Sequence, residues 1–320
     1  MKIAIAKQYI RQFLLIINKY SFLPARNSEV PMIIIMFDNQ MQHGGLLDRI
    51  KGIITAKLIA DELQYHFGIY VDKASFDLFK FLKPRNNIFK VDENQMVYNI
   101  WTSRPVIYYN RFKIDKASIL KLFRKRKQQY HFYCNTDLLR YFYSDLSQSE
   151  LNKRWRVYFH ELFYFTEYFD VVYKQSFYSK NVIGIHLRFQ FLLGDGEENT
   201  LMLDNTAKEE LIKDCICSVN KIISDNYGFQ FLIASDSTFF LNAFKIVKDI
   251  NSLGIIISKG TVGHIDFVHT EAVLEKALTD FYLLSKCTSV YQILGKHMYN
   301  SQFSKYAAIL GNADYHLVKI

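Results

Sequence analysis

His186-Leu187-Arg188 closes an apolar run that begins at Val182. Residues two apart on a strand share a face, so His186 and Arg188 point together and Leu187 points away. A guanidinium at the end of a buried strand suits two-pronged binding of phosphate oxygens, and an imidazole can donate to an anion or a sugar hydroxyl. A structural ion pair is the competing assignment for Arg188. Downstream of Gly194, the acids Asp195, Glu197 and Glu198 could balance Arg188, orient an acceptor, serve as a general base or lie solvated on a loop. Gly44-Gly45-Leu46-Leu47-Asp48-Arg49 is a second candidate, because two glycines before a helix let backbone N–H groups approach an anion. The same turn is also common as plain architecture. Gly263-His264-Ile265-Asp266 lies in a stretch that could reach a base or ribose, with a structural His the equal alternative; His269 reads as a cap or surface residue.

These residues need a frame. Met32–Phe37 reads as a buried strand, followed by a polar loop and a long helix over Leu46, Ile50, Ile53, Ile54, Leu58 and Leu63. Gly68 is expected to stop that helix before a strand at Ile69–Val71. This is a strand–loop–helix–strand unit of a doubly wound sheet. After an aromatic-rich middle over 85–165 that resists assignment, strands are expected at Val182–Phe189, Phe229–Ala234 and Ile255–Ile257. Thr206 and Glu209 suggest a capping box for a helix running to Ser224. Further helices are expected at Glu271–Lys286 and from Phe303. Polar residues such as Ser235-Asp236 stand at the carboxyl ends of strands, where open α/β sheets bind ligands. The expected organisation is two α/β domains, over 1–170 and 171–320.

Composition narrows the partners. The 320 residues are half hydrophobic and carry a formal charge of +9, which favours anionic partners. Lys121–Lys127 (KLFRKRK) is the clearest basic run and reads as a solvated helix face, with membrane-surface contact as the alternative. Nothing resembling a nucleic-acid-binding pattern accompanies it, so no nucleic-acid partner is expected. Cys134, Cys215, Cys217 and Cys287 read as reduced thiols, which suits a cytoplasmic protein. Ile10, Phe13, Leu14, Ile17 and Phe22 recur at helical spacing, but Arg11, Asn18 and Lys19 make the stretch too polar to span a bilayer. It reads as an amphipathic helix packed on the protein, or lying on the inner membrane face.

Taken in order, these motifs resemble those of the fucosyltransferase superfamily that includes the α1,2-, α1,6- and protein O-fucosyltransferases, in a bacterial polysaccharide-type form. Gly44–Arg49 resembles its glycine loop, and His186-Leu187-Arg188 its H-x-R motif. Ala234-Ser235-Asp236-Ser237 resembles its A-[ST]-D-[DS] strand end. Asp280-Phe281-Tyr282-Leu283-Leu284-Ser285 resembles the segment whose Asp recognises guanine. Ser301-Gln302-Phe303-Ser304-Lys305 resembles the Ser-containing turn near the donor phosphates. Phe189 and Gln190 depart from the pattern, standing where many members carry Arg and Asp.

The resemblance implies a GT-B architecture, two Rossmann-like domains facing across a cleft. It also implies inverting, metal-independent transfer from GDP-fucose to a glycan hydroxyl, with no cofactor. Donor contacts then fall to Gly44, Gly45, Arg49, His186, Arg188, Asp236, His264, Asp280, Ser301 and Ser304. Arg188 stabilises the leaving diphosphate, and Asp195 or Glu198 is the candidate base. The acceptor expected is a surface glycan, with a lipid-linked form fitting the basic charge. A related transferase using another nucleotide sugar, or an inactive glycan-binding protein of the same fold, are the competing readings.

Overall fold

The computed structural model describes the chain except residues 1, 26–29, 39–40, 42, 73–76, 109–114, 125–126, 196–200, 248–253, 266 and 269, with backbone alone at 2–9, 11 and 247. The chain divides into two units, Met1–Tyr164 and Phe165–Ile320.

The first unit holds α1 (Lys2–Lys19), β1 (Met32–Phe37), α2 (Leu46–Leu63), β2 (His66–Val71), β3 (Leu82–Pro84), β4 (Lys90–Val91) and β5 (Ser103–Ile107). It continues with α3 (Lys116–Lys121), β6 (Gln129–Tyr133), α4 (Leu139–Phe142), α5 (Gln148–Leu162) and the short β7 (Phe163–Phe165). Its sheet has the order β4-β2-β1-β6-β5, and these strands pair in parallel. Both faces of β1 are covered, which is why its sequence is an uninterrupted apolar run. Helix α2 comes so close to the end of β6 that a Cβ at Gly52 would stand 2.0 Å from the Cys134 carbonyl oxygen.

The second unit holds α6 (Glu167–Ser176), β8 (Val182–Leu187), α7 (Asn205–Asp225), β9 (Gln230–Ser235) and α8 (Thr238–Val247). It ends with β10 (Ile255–Ile257), α9 (Glu271–Ser285), β11 (Ser289–Leu294), α10 (Phe303–Gly311) and β12 (Asp314–Lys319). The order β10-β9-β8-β11-β12 is again parallel throughout. The chain builds outward from β8 to β10, then returns to the other side of β8 with β11. That reversal is the switch point of a doubly wound sheet, and it lies between β8 and β11. Helix α6 is tied to α9: Tyr282 donates to Asp170 at 2.5 Å and stacks near Phe169.

Several local expectations need correction. Helix α2 ends earlier than Gly68, at Leu63, with Gln64 in the left-handed conformation as its cap. Gly68 lies inside β2, where a Cβ would meet Val91 at 2.4 Å, so close packing explains that glycine. The cap of α7 is Asp204, which accepts from the Ala207 amide at 2.9 Å, in place of the box expected from Thr206 and Glu209. Strand β12 was not anticipated, because its mostly exposed, polar DYHLVK sequence lacks the apolar run of a central strand.

Candidate active site

The carboxyl edge of the second sheet gathers the polar side chains. Strand β8 is buried along its length, and its penultimate residue, His186, pairs with Gln292 of β11 across the switch point. The His186 ring lies against Phe303 of α10, 5.5 Å between centroids. Burial, then the charges of Arg188 and Lys276, push its pKa down to about 3, so the ring is neutral at physiological pH. Its Nδ1 is buried and has no hydrogen-bond partner among the described residues. Such an orphaned ring nitrogen points to a ligand or water that completes it.

Arg188, one step past β8, donates through Nη1 to Asp236 at 3.0 Å. Asp236 ends β9 and also accepts from the amides of Phe189 and Gln190, at 2.7 and 2.8 Å. Gln190 adopts a left-handed φ of 56°, which turns the chain so that its amide meets the carboxylate. Burial raises the Asp236 carboxyl above its ordinary value, and Arg188 and the two amides pull against that rise. Asp236 is therefore a holder of Arg188 and of the loop behind it. Arg188 keeps a partly exposed side chain whose orientation is fixed.

Just past the end of β10 and midway along α9 lies a group of which the sequence reading found one member. Asp280 accepts from Ser258 Oγ and Lys276 Nζ, and Lys276 reaches Ser258 Oγ at 3.1 Å. All three are buried. The signal for Lys276 was present as its i,i+4 spacing to Asp280 on one helix face. Lys276 and Ser258 also line a cavity of about 940 Å³, with Tyr168, Lys259, Glu275 and Thr279 on its other walls.

Ser301 Oγ accepts from the Phe303 amide at 3.2 Å and so helps start α10. Ser304 is fully buried, and its hydroxyl donates to Gln292 Oε1 at 3.1 Å. His264 lies in the turn before α9, its ring 5.2 Å from Phe267. Glu197, Glu198, Asp266 and His269 fall outside the described residues.

Asp195 lies against the start of α8. Its carboxylate accepts from Ser237 Oγ at 2.8 Å, Thr238 Oγ1 at 3.2 Å and the Phe239 amide at 2.7 Å. Ser237 in turn accepts from the Phe240 amide at 3.1 Å. Together they cap α8, a need that sequence spacing could not show because Asp195 comes from a separate loop. Asp195→Asn is expected to lower stability by about 1 kcal/mol while leaving turnover nearly intact. Loss of a general base would instead cost about 10²–10⁴-fold in rate. Urea unfolding beside a transfer assay separates the two.

In the first unit, Gly44 has a φ of +79°, and a Cβ there would strike Asp48 at 2.7 Å. Gly45 begins α2, and buried Arg49 donates through Nε to the Gly44 carbonyl at 3.2 Å. The glycine turn is thus tied down by its own arginine. Asp38, missed by the sequence reading, ends β1 and accepts from Tyr133 at 3.0 Å and Lys19 at 3.3 Å. His43 bonds the Asp38 backbone at 2.7 Å. Among the described residues, no group of three or more His, Cys, Asp or Glu converges to hold a metal ion.

The architecture has counterparts among solved structures. The NodZ α-1,6-fucosyltransferase co-crystallised with GDP superposes over 88% of this chain and 93% of its own, at 15% identity and a TM-score of 0.51. The GDP-fucose-soaked form of NodZ gives the same coverage and identity with a TM-score of 0.50. The fold is fucosyltransferase-like. NodZ from Bradyrhizobium matches equally, at 15% identity and a TM-score of 0.50, with 94% of its chain covered. No protein-family model matches this chain, and no curated protein sequence does. The α/β architecture expected from the sequence is the one found, in a GT-B type of fold.

Proposed function

We propose that this protein is an inverting, metal-independent glycosyltransferase that moves fucose from GDP-fucose to a hydroxyl of a surface glycan. The observation carrying this reading is the switch-point arrangement of the second sheet. There Arg188, oriented by Asp236, stands beside a neutral His186 whose Nδ1 lacks a partner among the described residues. The likeness of the fold to NodZ structures soaked with GDP-fucose or grown with GDP supports it. In this reaction the acceptor oxygen bonds the anomeric carbon as the bond to the β-phosphate oxygen breaks. The electron pair leaves with GDP, and the hydroxyl proton passes to a base, for which Glu198 is the sequence candidate once Asp195 is committed to α8. Arg188 neutralises charge that grows on the diphosphate, and a positioned donor of this kind typically contributes about 10²–10³-fold in rate. Lys276 and Asp280 serve the base side of the donor, and Ser301 with the start of α10 the phosphate side.

Isothermal titration of the full chain with GDP, GDP-fucose and UDP tests this. GDP and GDP-fucose are expected to bind and UDP to be ignored; UDP binding without GDP binding overturns the fucose donor. A specific observation favours the inactive reading as runner-up: Arg188 is already engaged by a carboxylate. Nucleotide binding without transfer or donor hydrolysis across a broad glycan panel would favour it.

A further inference from the structure

The first unit carries an apolar surface that the transfer reaction does not use. Helix α1 packs with one face: Gln12 donates to the Pro105 carbonyl at 2.9 Å, Leu15 is buried, and Lys19 reaches Asp38. Ile10, Phe13, Leu14 and Ile17 recur on the opposite face, and all four are at least half exposed, Phe13 by 62%. A face that size is usually covered in a water-soluble protein. The surface continues past the helix. Phe22 and Leu23 are exposed, and their carbonyls accept from Trp101 Nε1 at 3.0 Å and from Asn99 Nδ2 at 2.9 Å. Trp101 is itself 53% exposed, whereas Trp155 is 1% exposed.

Charge says what covers it. The α1 sequence, KIAIAKQYIRQFLLIINK, holds four cations and no acid, although the positive end of the helix dipole favours acids in its first turn. Lys127 donates to the Ile100 and Trp101 carbonyls at 2.8 and 2.7 Å, which places the last cation of the KLFRKRK run beside Trp101. Lys121 and Arg124 of that run are exposed. Apolar residues next to an exposed tryptophan and a concentration of cations match the interface of an anionic bilayer. A second copy of this basic chain would oppose like charges to like. Among the described residues, no helix is long and apolar enough to cross a membrane.

We infer that the outer face of α1, the Phe22–Leu23 segment and Trp101 form a docking surface for an anionic lipid bilayer. The apolar side chains enter the headgroup boundary, and the neighbouring lysines and arginines meet lipid phosphates. Co-sedimentation of the full chain with phosphatidylcholine vesicles, with and without phosphatidylglycerol, tests it. Binding to the anionic vesicles is expected, falling at least about tenfold as salt rises from about 0.05 M to about 0.5 M. The double variant Phe13→Ser, Ile17→Ser should weaken it roughly tenfold with unfolding unchanged. Lys121→Glu with Arg124→Glu, on a different element, should weaken it as well. Vesicles should shift Trp101 emission to shorter wavelength. Absence of binding to anionic vesicles, binding that ignores both salt and charge, or double variants that bind like the wild type overturn the proposal. So does self-association that the Phe13→Ser, Ile17→Ser variant abolishes without any vesicle binding.

Discussion

Arg188→Ala is expected to lower transfer by about 10²–10³-fold, because in the proposed mechanism it removes the fixed cation that meets the leaving diphosphate. It also leaves the Asp236 carboxylate in a buried place with backbone amides, those of Phe189 and Gln190 among them, to balance it. Breaking one partner out of such a pair costs about 3–5 kcal/mol when burial is complete, and about 2 kcal/mol here, where both side chains retain some exposure. Activity and stability therefore fall together in this variant. Arg188→Lys separates them, because an ammonium can still pair with Asp236 but cannot present a planar fork. It should recover most of the lost stability while remaining at least about tenfold slow. Steady-state rates read beside thermal unfolding decide the matter, and an Arg188→Ala enzyme with full turnover would falsify the assignment.

Gly311→Ala is expected to destabilise the second unit by about 3 kcal/mol or more, and to lower the melting temperature by roughly 6–12 °C. Its added Cβ would lie 1.9 Å from the Ser285 carbonyl oxygen and 2.7 Å from the carbonyl carbon. Backbone at the end of α9 cannot swing aside as a side chain can. One of the two helices must move, and α9 carries Lys276 and Asp280 while α10 opens with Phe303 against His186. Weaker GDP binding should accompany the lower melting point. Gly228→Ala is the control: nothing lies within 4 Å of its Cβ, but its φ is +89°. That variant pays only for the left-handed backbone, about 1 kcal/mol, with GDP binding unchanged. Equal stability in the two variants would show that α9 and α10 are less closely docked than the geometry says.

The strands that matter most were legible because parallel strands buried on both faces read as near-continuous apolar runs, as in MIIIMF and the FLIA of β9. Strand β12 was not, since its side chains are mostly exposed at the sheet edge and burial left no mark on them. Within the aromatic middle, β5 and β6 lie among residues such as Tyr130, Phe132 and Tyr133, which suit strand and helix packing alike. Gly68 misled for a related reason, because a glycine required by a close neighbour looks the same in sequence as one that ends a helix.

For the chemistry, the sequence by itself determined that His186 and Arg188 leave β8 on one face, and that acids follow at the ends of β9 and within α9. It also set the charge and the apolar spacing of α1. Only the tertiary structure decided what each acid is for. Asp236 holds Arg188, Asp280 holds Lys276 and Ser258, and Asp195 caps α8. A carboxylate has the same four lone-pair sites wherever it stands, and its role depends on which donors surround it. Here most of those donors come from other strands, helices and loops, brought together by the β8–β11 reversal and the packing of α9, so a local pattern announces only Lys276, four residues before Asp280 on α9.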